Sequence, residues 1–163
     1  MNFLLGTLGA NLTLSLISKV TGTINSVFTL SSNILKSNAV NTFEAKQMIS
    51  DIDLEVKIKT TQLLLSELKI DDQSPNTIRY CILSIKDAVK DIADELDTVY
   101  FRIQYNNNLL FCSRLRSYKF HNCRERLVSK LKTLESRNQT LISIMSIQPM
   151  MYKNLTLSIE PID

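Results

Sequence analysis

The chain has 163 residues, 44% of them apolar and 21% charged, with a formal net charge of +3. That is the balance of an ordinary single globular domain, able to bury a core without disulfide staples and too weakly charged to demand a polyanionic partner. Glycine occurs only at Gly6, Gly9 and Gly22, and without it from Thr23 onward the tight hairpin turns of an all-β fold lack their φ > 0 residues. Helices joined by Asn, Asp, Ser and Pro are expected instead.

Lys19 and Lys36 are the only charges among the first 40 residues. Met1-Asn2-Phe3 lacks the positive start of a signal peptide. Thr7, Asn11, Thr13, Ser15, Ser18 and Lys19 interrupt what a transmembrane span would need. Residues 1–11 read as an N-terminal segment. Leu16, Val20, Ile24, Val27, Ser31 and Ile34 then keep alternating steps of four and three, predicting a helix from about Leu12 to Lys36. Its other faces are Ser, Thr and Asn, mediocre in helix interiors, so this helix depends on its surroundings.

Asn41 with Glu44 resembles a capping box and opens a second predicted helix reaching Ile70 through Ile49, Ile52, Val56, Leu63, Leu64 and Leu68. Ser74 and Pro75 are suited to cap and begin a third. That third helix carries the strongest signal in the chain: Ile78, Ile82, Ile85, Val89, Ile92, Leu96, Val99 and Ile103 form an unbroken apolar ladder. Asn106-Asn107-Asn108 predicts a break, and Leu109 to Arg116 a short connecting helix. A last long helix follows from about His121 to Ile147, with Leu127, Leu131, Leu134, Asn138, Leu141 and Met145 on its stripe. Pro149 is expected to end it. The predicted fold is all-α: an antiparallel bundle of four long helices plus a short connector, spanning residues 1–149.

Residues 150–163 are expected to form an extended or short β arm. Asn154-Leu155-Thr156-Leu157-Ser158 repeats Asn11-Leu12-Thr13-Leu14-Ser15 and alternates with the period of a strand, making Leu155, Leu157 and Ile159 a predicted docking edge.

Little in the chain points to catalysis. No Gly-rich phosphate loop, H-E-x-x-H or G-x-S-x-G motif is present. Cys112, His121 and Cys123 are the only soft-ligand cluster, spaced unlike a zinc knuckle and short of a fourth ligand unless Cys81 supplies it. No catalytic residue, metal or cofactor is expected. An odd number of irregularly spaced cysteines fits reduced thiols in an intracellular compartment.

The charges carry more information. Arg116, Lys119, Arg126, Lys130 and Arg137 share one helical stripe if the segment is continuous, opposite in sign to the acids flanking the ladder. Antiparallel packing is expected to bring Asp94 near Lys130 and Asp87 near Arg137, as flanking charges do in bundles. Arg114, Arg116, Lys119 and Arg124 then remain at the bundle end, available to phosphate, anionic lipid or nucleic acid.

In its Asn/Ile/Lys/Ser-rich, all-helical texture the chain resembles small minor capsid or virion proteins of large DNA viruses. A weakly polar first helix (Leu12 to Leu35) and a basic bundle end (Arg114 to Arg124) also make it similar in architecture to the membrane-acting bundles of the MLKL and HeLo type. The first resemblance implies a non-enzymatic structural or adaptor protein acting through protein contacts, its own copies included. The second implies a bundle acting on anionic membrane surfaces. Nucleic acid is a weaker third partner, suggested by Tyr118 and Phe120 beside the basic residues.

Overall fold

A computed structural model describes the backbone of residues 2–38, 42–68, 76–108 and 116–157, and the side chains of 12–38, 42–68, 76–105 and 122–147. Within these residues the chain is all-helical: α1 (Asn2–Lys36), α2 (Phe43–Asp51), α3 (Leu54–Ser66), α4 (Asn76–Asn108) and α5 (Arg116–Leu157).

The ladder is the centre of the core. All eight residues from Ile78 to Ile103 are buried, none more than 3% exposed. Val20, Ile24, Val27 and Ile34 of α1 close on them from one side, and Cys123, Leu127, Leu131, Leu134 and Leu141 of α5 from another. Each stripe recurs at three- and four-residue steps because only that spacing keeps apolar groups on one side of a 3.6-residue helix. α4 packs most extensively against α1 and α5.

Direction can be read from paired residues. Glu95 meets Arg126, the Asp91 carbonyl meets Lys130 and the Ser84 carbonyl meets Arg137. Steps down α4 thus match equal steps up α5, so the two are antiparallel. By contrast, the groove residues Leu12 and Lys19 lie beside Asn76 and Leu83, while Ser26 and Leu30 lie beside Ala93 and Asp97. α1 and α4 therefore run the same way, and α2 and α3 are the return path between them.

Three expectations are corrected. First, the predicted Asn41–Ile70 helix is two helices. Asp53 sits in the left-handed region at φ 51, serving as the residue past the end of α2 and as the N-cap of α3. The break turns α3, so Ile58, Thr61 and Leu65 point inward while Val56 and Leu63, expected inside, are exposed. Neither glycine nor proline marks it. Second, α1 begins at Asn2, absorbing the separate N-terminal segment. Third, α5 passes Pro149 and stays helical to Leu157. Leu155 and Leu157 therefore lie on helical turns rather than a strand. So short an alternation does not set a strand period against good helix formers such as Met150, Met151 and Lys153. Ile159, Asn41, Ser74, Pro75 and all of the short connector but Arg116, which opens α5, lie outside the described residues.

Candidate functional site: a polar seam and the faces it leaves free

The functional geometry begins with the charges the bundle uses for itself. Glu95, on the flank of the ladder facing α5, is only 6% exposed. Arg126 clamps it through Nε, 3.0 Å from both carboxylate oxygens, and through Nη2, 2.8 Å from Oε1. Lys130 Nζ reaches Oε2 at 3.4 Å and donates to the Asp91 carbonyl at 2.9 Å. Burial alone would raise the Glu95 pKa. The Arg126 hydrogen bonds and charge, joined by Lys130, outweigh it and hold the carboxyl below its usual range.

Cys123 completes this seam. Its buried Sγ lies 3.2 Å from Arg102 Nη1 and from Arg126 Nη2. Burial pushes the thiol up, against the pull of the two guanidinium groups. A shielded thiol whose pKa is raised is a weaker nucleophile than a free one. Cys112 and the His121 side chain lie outside the described residues, among which no group of metal-ligating side chains occurs.

Neither expected charge pair forms. Glu95, rather than Asp94, takes Lys130, and Arg137 donates to the Ser84 carbonyl rather than meeting Asp87. The reason is axial register. Apolar knobs settle α5 about one turn from the offset that charge matching suggested, and Asp87 and Asp94 are left exposed to solvent. Glu95 escaped notice as a site residue, although its place directly before Leu96 of the ladder is the signal that it borders a helix interface.

A second buried polar contact joins α3 to α5. Asn138 Nδ2 donates to Thr61 Oγ1 at 2.8 Å, and the Asn138 Oδ1 has no partner among the described residues. An orphaned amide oxygen costs about 1–3 kcal/mol, so this contact aligns α3 more than it stabilises it.

The remaining surface is mixed. On α1, Thr21, Thr23, Ser26 and Thr29 return their hydroxyl protons to carbonyls four residues back. The face is hydroxyl-rich in composition yet spends few donors on solvent, which lowers the desolvation penalty of covering it. Beside it, Leu12, Leu16, Arg79, Tyr80 and Leu83 enclose a groove of about 370 Å³ between α1 and α4. Arg79 is held there by its 3.0 Å bond to Thr13 Oγ1.

Of the basic end, Arg124 is exposed on α5. Arg116 and Lys119 lie on the first turns of α5, and Arg114 falls outside the described residues. Among the described residues no helix is long and apolar enough to cross a membrane. Comparison with protein-family models, with curated proteins and with solved structures finds no match.

Proposed function

We propose that this chain is a non-enzymatic, contact-acting component of a larger protein assembly such as a virion, built as an up-down-up-down helical bundle. The supporting observation is the division of its polar groups. The buried charges serve helix alignment, while the surface carries an apolar groove at Leu12, Tyr80 and Leu83 beside a neutral helix face. Exposed apolar side chains gathered in one place are what partner surfaces present. The docking elements are the outer face of α1 and the last turns of α5.

Affinity purification from the native source, with mass spectrometry of what co-purifies, tests this. A stoichiometric protein partner is expected, and deletion of residues 150–163 is expected to abolish its capture while leaving the remaining helices folded by circular dichroism. Recovery of anionic lipid without protein would replace the proposal with the membrane-acting one. Undiminished capture by the truncated chain would remove the end of α5 from the docking surface.

A further inference from the structure

The face of α4 opposite the ladder carries its own pattern. Tyr80 and Leu83 lie toward one end, Phe101 and Tyr105 toward the other, and all four are exposed. Phe101 and Tyr105 stack on each other with ring centroids 6.1 Å apart, without hiding either ring: Phe101 stays 66% exposed. Between the apolar ends lie Lys86 and Lys90, then Asp94 and Asp97. Among the described residues none of these four charges forms an ion pair within the chain, although each lies beside the α1–α4 groove.

Read upward, the face is Tyr80, Leu83, Lys86, Lys90. Read downward from the far end, it is Tyr105, Phe101, Asp97, Asp94. Ring meets ring, leucine meets phenylalanine, and each lysine meets an aspartate. The steps are three or four residues in either direction, so the matched residues remain on one helical face throughout. Such self-complementarity is what a two-fold axis requires, because each patch must meet the same patch reversed. Beside these charges the surface of α1 is open at Gly22, where an added Cβ would meet nothing within 4 Å.

We propose that the solvent face of α4 docks a second copy of this chain, antiparallel, about a two-fold axis at the level of Ile92. Leu83 packs on the partner copy's Phe101 face and the tyrosines close the ends. Lys90 pairs with the opposing Asp94 position and Lys86 with that of Asp97, and symmetry makes each contact twice. The matched segment is about 38 Å long at 1.5 Å per residue. This deepens the contact reading by naming the occupant of one face.

Sedimentation equilibrium of the full chain from about 1 to 500 µM tests it, with circular dichroism to verify that each exposed-site variant folds. A reversible dimer is expected. Leu83→Glu and Phe101→Glu should each weaken it about tenfold or more. Lys90→Asp should weaken it by setting two acids against each other, and the chain carrying both Lys90→Asp and Asp94→Lys should regain the affinity, because swapped charges match again across the axis. A monomer at every concentration overturns the proposal. So does a dimer indifferent to Leu83→Glu and Phe101→Glu, or a swapped chain no tighter than Lys90→Asp alone. A monomer that still captures other proteins would sink the dimer and keep the contact reading; a dimer without any other partner would do the reverse.

Discussion

Glu95 is the residue on which the α4–α5 interface turns. Its carboxylate is nearly buried, while Arg126 keeps about half of its side chain in water. Solvent therefore screens the pair from one side, and Glu95→Gln is expected to lower stability at neutral pH by about 1–2 kcal/mol, below the cost of breaking a fully buried pair. The pH dependence follows from the depressed pKa. The contribution is fully present above the ordinary glutamate range and disappears as pH falls through the lower value that Glu95 has in the folded chain. Urea midpoints measured between neutral and acid pH should therefore fall more steeply for the natural chain than for Glu95→Gln. Identical slopes would mean that other carboxylates govern the acid limb. The sequence announced an acidic flank and a basic stripe. It did not announce which acid would be used, because charge spacing is nearly the same at Asp94 and Glu95 and only their angular position around α4 separates them.

At the scale of elements, periodicity was a good guide wherever a helix ran uninterrupted. The stripes of α1, α4 and α5 are buried as their spacing requires, down to Ser31 and Asn138 among the aliphatic residues, with Leu16 and Met145 half-buried. It was a poor guide across Asp53, where a single backbone angle rotates every later side chain to a new direction. An L-residue in the left-handed region carries a steric penalty that glycine escapes and that Asp tolerates better than a branched residue. Asp53→Val is therefore expected to destabilise the chain by about 1–2 kcal/mol. Asp53→Gly should be neutral or stabilising by up to about 1 kcal/mol, the relief of strain being offset by loss of an acid at the start of α3. Thermal melts of the two variants decide it; a Val variant as stable as the natural chain would mean that the α2–α3 break adjusts freely. Pro149 gives the complementary lesson. It removes one N–H from the helical ladder, about 3 kcal/mol in a helix interior, yet α5 continues for two further turns. The docking edge foreseen at Leu155 and Leu157 was misread because so short an alternation is outweighed by the good helix formers that precede it.

For the whole molecule, the parallel run of α1 and α4 has a kinetic consequence. The Arg79–Thr13 contact closes a loop of 66 residues, whereas Arg102 and Cys123, joining α4 to α5, are 21 apart. At about 0.6 kcal/mol for each doubling of loop length, the α4–α5 hairpin has an entropic head start of about 1 kcal/mol. It should form the folding nucleus, with α1 closing over it after the rate-limiting barrier. Stopped-flow chevrons check this: Ile24→Val should accelerate unfolding and leave the refolding arm in place, whereas Leu131→Ala should slow refolding. For a short interval during its formation the nascent bundle would then expose the flank of Ile82, Val89 and Leu96 that the first helix later covers, a window in which crowding by sister chains favours exchange of that helix between molecules.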